Sequence, residues 1–346
     1  MRGVQTMKLH TKKGSASYLA FVLILVIALS FTVLTILPKP QSYKGDNPLI
    51  RTGEMPILVA HRGGAGEFPG NSLEAFYNAY SVDSRVIMET DISITRDGVL
   101  ILCHESYLDK RTNVTGDIID WNYSDLISQR VNFGYYNDLD VEELIPFTDD
   151  SGKEIKPSDL EGYPEGLPGR DAEIYLATTF EELLTAFPNN IISIEIKQGG
   201  EAGLLAVKEA IRVVEKHNAF DRVIFASFKE EIFEEYKRLD KSGEVPESFM
   251  YSPSLMGAVK YVALQLLGLD IFYNDGVAVL QIPMEEYGFN LATKKLIENA
   301  RKHNIATHYW TINDEDEMRV LIENGADAIM TDYPHKLKEV FDSYGK

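Results

Sequence analysis

The stretch "ILVAHRGGAGEFPGNS", residues 57–72, runs four apolar residues straight into His61-Arg62 and then into a loop rich in glycine. A short continuous apolar run closed by Gly, Pro and Asn reads as a buried strand followed by a turn. Its last residues are a titratable and a charged side chain, which a buried strand rarely carries without a reason.

The same pattern recurs along the chain. Strand candidates lie at 57–61, 86–93, 191–197, 223–228, 248–253, 276–283, 306–312 and 328–333. Amphipathic stretches such as "GLLAVKEAIRVVEKHN" and "LATKKLIENARKHN" separate most of them, with apolar residues at helical spacing. Apolar strands alternating with helices imply an α/β protein whose parallel sheet is covered on both faces. Eight such units predict a (β/α)8 TIM barrel. A doubly wound open sheet is the alternative. Polar residues stand at the C-terminal ends of strands throughout the chain: His61 and Arg62, Glu89 and Asp91, Glu195 and Lys197, Ser227, Trp310 and Asp332. A barrel gathers those ends at one mouth, whereas an open sheet scatters them.

The chain has 346 residues, 45% hydrophobic and 25% charged, with a net charge of -19. Its first 38 residues hold Arg2, Lys8, Lys12 and Lys13 and no acid, so the remainder carries 30 basic against 53 acidic residues. Such a surface argues against a nucleic-acid partner. An anionic substrate must be held by a local cluster or a metal, because the overall field repels it. The single cysteine, Cys103, excludes an intrachain disulfide framework.

Residues 18–37, "YLAFVLILVIALSFTVLTIL", contain no charge and are long enough for a transmembrane helix. The basic residues before it predict a cytoplasmic tail (1–17) and an extracytoplasmic catalytic domain on a single-pass cell-membrane protein. A cleaved signal peptide would have a shorter apolar region and a small-residue cleavage site, and neither is present. Residues 38–54 read as a linker, and 55–346 as the barrel domain. Within it, residues about 105–180 break the repeat and are acidic and rich in Gly and Pro from 138 to 173. They read as a small insertion, either a lid at the mouth or a solvated surface excursion.

Glu89 and Asp91 are two apart on a strand, so they share a face. Two ionised carboxylates in a barrel core require a positive group between them. Ion pairs with Arg62 or Lys197 would serve, but Glu195 at another strand end supplies a third carboxylate and favours a metal. An all-oxygen set suits a hard cation, Mg²⁺ or Ca²⁺. His61 and His104 both end strand-like runs, and the Asp97-Gly98 hairpin turn folds His104 back toward Glu89 and Asp91. Two imidazoles beside a metal site suit an acid/base pair. Of the other histidines only His308 has a similar placement. Arg62 and Lys197 suit a phosphate. The glycines after Arg62 are expected to let the backbone approach a ligand.

These residues resemble the glycerophosphodiester phosphodiesterase family. The matching segments are "HRGG" (61–64), "FPGNSLEAF" (68–76), "METDISITRDGVLILCHE" (88–105), "LDKRTNVTG" (108–116), "ISIEIK" (192–197) and "YWTIN" (309–313) with "GADAIMTDYP" (325–334). The resemblance implies a TIM barrel with a small insertion. It also implies His61 and His104 as catalytic acid and base, Glu89, Asp91 and Glu195 as ligands of a divalent metal, and Arg62 and Lys197 on the phosphate. Trp310 would line the pocket near the substrate's glycerol. Two departures stand out: Pro69-Gly70-Asn71-Ser72 where the family usually has Pro-Glu-Asn-Thr, and His104-Glu105 where it usually has His-Asp. The expected reaction is cleavage of a glycerophosphodiester to sn-glycerol 3-phosphate and an alcohol. Lysophospholipids (a lysophospholipase D reaction) or an envelope polyglycerolphosphate are the alternative substrates. A non-catalytic phosphodiester-binding barrel is the reading from another class.

Overall fold

The computed structural model describes residues 13–136, 144–163, 167 and 169–345. Its strands are β1 (Ile57–Ala60), β2 (Ile87–Ile94), β3 (Leu100–Leu102), β4 (Ile192–Ile196), β5 (Val223–Ala226), β6 (Met250–Tyr251), β7 (Val279–Ile282), β8 (Glu285–Glu286), β9 (Phe289–Asn290), β10 (Ala306–Tyr309) and β11 (Ala328–Thr331). The helices are α1 (Lys13–Ile36), α2 (Leu73–Val82), α3 (Tyr123–Ser128), α4 (Phe180–Ala186), α5 (Gly200–Lys216), α6 (Glu230–Ser242), α7 (Leu255–Leu266), α8 (Lys294–Lys302), α9 (Glu315–Asn324) and α10 (Pro334–Tyr344).

Eight strands pair in parallel in the order β6-β5-β4-β2-β1-β11-β10-β7. That order follows the chain around a circle, with no reversal of the kind a doubly wound sheet makes at its switch point. Between β6 and β7, Ala278 N donates to Tyr251 O (3.0 Å), so the sheet curls into a nearly closed barrel. β3 folds back antiparallel on β2 through a turn in which Gly98 takes a left-handed φ of 81°. Side-chain caps start several helices: Ser72 Oγ accepts from Ala75 N, and Thr179 and Glu182 cap α4 reciprocally.

The larger core fills the space between sheet and helices. A second cluster lies inside the barrel: Val59, Ile87, Ile224, Met250, Val279, Ala306 and Ala328, one from each of seven strands, with Met330. On six of these seven strands the residue two further along lines the mouth: His61, Glu89, Ala226, Ser252, Gln281 and Met330.

The segment 38–54 is more than a tether. Tyr43 and Leu49 are buried in the inner cluster and close the lower end of the barrel. Asn47 Nδ2 donates to the carbonyls of Ala278 (2.7 Å) and Asn304 (2.9 Å), and Arg51 N donates to Asp327 Oδ1 (2.7 Å). Two isolated anchors leave no periodicity, which is why the sequence reads as a linker. The insertion likewise has a core of its own, in which Leu108, Ile118, Leu126, Phe133 and Tyr175 pack on Ile101 and Cys103.

α1 is a continuous helix whose described side chains are all exposed. Among the described residues no helix is long and apolar enough to cross a membrane. The span expected at 18–37 is therefore not established by the fold, since several of its side chains, and residues 1–12 of the expected tail, lie outside the described set.

The plug sets a test. Leu49→Ala removes a fully buried side chain and should destabilise the barrel by about 2–5 kcal/mol, read as a lowered thermal midpoint. A solvated linker predicts no change.

Candidate active site

His61, Arg62, Glu89, Asp91, His104, Glu195, Lys197 and Trp310 all line one cavity of about 170 Å³ at the C-terminal mouth of the barrel. The residues come from the ends of β1, β2, β4 and β10 and from the residue pair after β3. His308 is not among them. It is fully buried inside the barrel, where burial pushes its imidazole down to about 3, so it is a neutral core residue.

Glu89, Asp91 and Glu195 each offer a carboxylate oxygen, and the three atoms lie within 4.8 Å of one another. Parallel pairing of β2 with β4 sets Asp91 opposite Glu195, and the period of two sets Glu89 beside them. Cations interleave: Arg62 Nε lies 3.3 Å from Asp91 Oδ2, and Lys197 Nζ lies 3.4 Å from Asp91 Oδ1 and 3.1 Å from Glu195 Oε1. Arg62 N donates to Glu89 Oε2 (2.9 Å) and Asn71 Nδ2 to Asp91 Oδ2 (3.0 Å).

The ion pairs do not balance the three acids equally. Burial and the neighbouring Asp91 charge raise Glu89 to about 7, and burial also raises Glu195. Burial alone would raise Asp91, but Lys197, Arg62 and His104 hold it well below the usual carboxylate range. Burial opposes the charge on Lys197, and Asp91 and Glu195 outweigh it, so its ammonium is stabilised. The donor set is buried, all-oxygen and short of positive charge at Glu89. It fits a hard divalent cation.

Each histidine is backed by a carboxylate. His61 Nδ1 bonds Asp332 Oδ1 (2.7 Å), and Asp332 Oδ2 accepts from Asn313 Nδ2 (2.7 Å). The other ring nitrogen, Nε2, lies 4.0 Å from Glu89 Oε2. Burial would lower His61, but the Asp332 bond and the Glu89 charge outweigh it and raise the imidazole. His104 Nδ1 lies 2.9 Å from Glu105 Oε2. The sequence marks Asp332 only as a polar strand end. Its position, two beyond Met330 on the inner face of β11, was the available signal. Asn71 and Asn313 left none, because nothing local shows what their amides reach.

The glycine-rich loop works differently from expectation. Arg62, Gly63 and Gly64 take left-handed φ of 54°, 83° and 97°, turning the chain so that Arg62 faces the carboxylates. A Cβ on Gly63 would meet Ala75 Cβ at 2.9 Å, on Gly64 Pro334 at 2.8 Å and on Gly66 the Tyr333 ring at 2.4 Å. The glycines thus admit neighbouring protein, not ligand. Gly70 is equally confined: a Cβ there would lie 2.9 Å from Ala65 Cβ and 3.1 Å from Arg62 Cβ. The Pro-Gly-Asn-Ser departure therefore belongs to a locally tight loop. The apolar residues 144–147 of the insertion are not among those lining the cavity.

The sequence model of the glycerophosphoryl diester phosphodiesterase family matches residues 61–336. The chain belongs to this family and is an enzyme of the phosphodiesterase class. It is 25% identical to human lysophospholipase D GDPD1 over 83% of this chain and 86% of the relative. It is 24% identical to a Bacillus subtilis glycerophosphodiester phosphodiesterase over 91% and 97%. An Oleispira antarctica phosphodiesterase, solved in complex with the product sn-glycerol-3-phosphate, shares the fold with a TM-score of 0.59 at 20% identity, covering 83% of this chain and 97% of its own.

A carboxylic acid raised to about 7 must lose its proton to bind a cation, so affinity for a divalent cation should rise as pH increases through that value. Titration calorimetry in buffers of different ionisation enthalpy, at about pH 6, reads the proton directly. Glu89→Gln should lower the release, leaving only what Glu195 and the neighbouring imidazoles contribute. Equal release in that variant assigns the proton elsewhere.

Proposed function

We propose that the protein hydrolyses glycerophosphodiesters to sn-glycerol 3-phosphate and an alcohol. In this reading Glu89, Asp91 and Glu195 hold Mg²⁺ or Ca²⁺, and His61 and His104 are the acid/base pair. The observation that carries it is the meeting of three carboxylates, two imidazoles, Arg62 and Lys197 in one cavity of a chain of this family.

Arg62 offers a planar fork of donors and Lys197 a point charge to the phosphodiester oxygens. A divalent cation on the carboxylates would supply further neutralisation of the charge that builds on those oxygens. One imidazole takes the proton of the attacking oxygen, either water or the substrate's neighbouring hydroxyl, and the other protonates the departing alcohol. Asp332 fixes the His61 ring through Nδ1, leaves Nε2 to the proton, and stabilises the imidazolium. Trp310, edge-on to Phe228 at 5.7 Å, offers an apolar wall to the glycerol.

The protein is also read as a single-pass cell-membrane protein with its N-terminus cytoplasmic and its barrel outside. Supporting this are the uncharged run at 18–37, the four basic residues before it, and the exposure of every described side chain of α1.

Loss of the acid/base pair should cost about 10²–10⁴-fold in turnover. Release of glycerol 3-phosphate from glycerophosphocholine, glycerophosphoethanolamine and glycerophosphoglycerol is measured with Mg²⁺, with Ca²⁺ and with EDTA. His61→Ala, His104→Ala and Glu89→Ala should each abolish the metal-dependent rate. Full turnover by His61→Ala on all three substrates would sink the mechanism. For topology, protease added outside intact cells should degrade the barrel. Its survival while cytoplasmic markers also survive would reverse the orientation.

A further inference from the structure

One side of the barrel carries an apolar face that the active site does not use. The exposed positions of α7 are Leu255, Met256, Val259, Lys260, Ala263 and Leu266. Lys260, the one charge among them, is engaged by Asp275 at 2.7 Å. Met256 and Leu266 are 62% and 61% exposed, whereas Gly257, Tyr261 and Gln265 on the same helix are buried. Exposed Leu267 and Phe272 follow directly after α7. A groove of about 330 Å³ separates α7 from the β8–β9 hairpin, where Tyr287 and Phe289 are also exposed, and among the described residues Glu286 is the one charged side chain lining it. Exposed apolar side chains gathered in this way mark a contact surface.

What covers this face is indicated by the chain that leads into it. α1 ends at Ile36, and the uncharged run 18–37 ends one residue later. Lys39 already belongs to the barrel: its Nζ pairs with Asp270 Oδ1 at 2.9 Å, with both side chains buried. Asp270 stands four residues beyond Leu266, the last residue of α7. His303 fixes the same point. Its Nε2 lies 3.1 Å from Asp270 Oδ2, its Nδ1 3.0 Å from Pro40 O, and its carbonyl accepts from Ser42 N (2.7 Å). The three residues from Ile36 to Lys39 span at most about 10 Å. The barrel therefore cannot swing away from α1, and the end of α7 is held beside it. The other end of α7 follows β6, and the β8–β9 hairpin follows β7, both on the side of the mouth.

We infer that the face formed by α7 and the β8–β9 hairpin rests on the surface of the lipid bilayer that α1 enters, so that the barrel lies on its side with its mouth beside the bilayer. The inference rests on the single-pass reading proposed above and adds the orientation of the catalytic domain. Position favours a bilayer over a second protein, because the face begins where the uncharged helix ends. Charge fits as well. Beyond its first 38 residues the chain carries 30 basic against 53 acidic residues, so the overall field does not draw the barrel to an anionic lipid surface, and apolar contact has to hold it there. Tyr287, at the tip of the hairpin and 84% exposed, suits the head-group boundary, where amphipathic rings settle.

Cys103 is fully buried, and burial pushes its thiol up to about 11, so a thiol-reactive, polarity-sensitive fluorophore goes to an introduced cysteine. Met256→Cys and Tyr287→Cys report from the face. Ser81→Cys, at an exposed position of α2, reports from across the barrel, since the strand order sets β1 opposite β6. Each full-length chain is placed in phosphatidylcholine nanodiscs that contain lipids with a nitroxide either near the head group or at mid-chain. Labels at positions 256 and 287 should shift to the blue and be quenched, more by the shallow nitroxide than by the deep one, because an apolar face in the interface sits about 5–10 Å deep. The label at position 81 should do neither. Val259→Asp combined with Leu266→Asp should abolish the quenching while the chain stays in the disc, since a buried carboxylate is costly, and an unchanged thermal midpoint reports its fold. Retention in the disc without quenching at 256 and 287 overturns the docked face and leaves the anchor standing. A blue shift without quenching means that protein covers the face, and overturns it too, as do equal quenching at 81 and quenching that survives both carboxylates. A chain that washes out of the disc defeats the anchor reading, and the docked face falls with it.

Discussion

Three carboxylates crowded at the mouth of a barrel repel one another, and the mouth is arranged around that repulsion. Parallel pairing sets Asp91 opposite Glu195, and the strand period sets Glu89 next to Asp91, so the backbone cannot separate them. Relief has to come from what surrounds them. Lys197 reaches both Asp91 and Glu195 from its own strand end. Arg62 has to be turned inward, and the left-handed run from Arg62 to Gly64 does so while its backbone N–H is given to Glu89. Asn71, also left-handed at φ 64°, holds Asp91 from the far end of the same loop. The loop's conformation, its glycines and its close packing against α2 and Pro334 follow from the charges it serves.

Much of this was legible because the inner face of a barrel counts in twos. Val59 precedes His61, Ile87 precedes Glu89 and Asp91, Ser193 precedes Glu195 and Lys197, and Met330 precedes Asp332. Val59, Ile87 and Met330 belong to the inner core, His61, Glu89, Asp91, Glu195 and Lys197 meet at the mouth, and Asp332 stands behind His61. A sequence shows this parity directly, so the strands, the barrel and the chemistry-bearing residues can be read from it. Contacts across long separations cannot. Nothing near Asp332 says that it holds His61, 271 residues away. Tyr43 and Leu49 plug the barrel from a stretch with no period at all. "LMGAVKYVALQL", the sequence of α7, is apolar enough to pass for an ordinary packed helix, and only the fold shows that half of it faces outward.

The glycines were misread for a related reason. A run of glycine beside a charged pair suggests a backbone that yields to a ligand. Here the missing Cβ atoms make room for Ala75, Pro334 and Tyr333, which lie on α2 and at the start of α10. Close approach is the correct physical inference from glycine, and the sequence cannot say what approaches.

The distribution of charge bears on how a substrate arrives. The cavity's cations are largely engaged by its carboxylates, and the chain as a whole carries -19. A free anionic diester approaching through solvent therefore meets a repelling field until it is within a Debye length of Arg62 and Lys197, about 8–10 Å. Capture therefore depends on the cations at the mouth and on any divalent cation that the three carboxylates hold, not on the field of the chain as a whole.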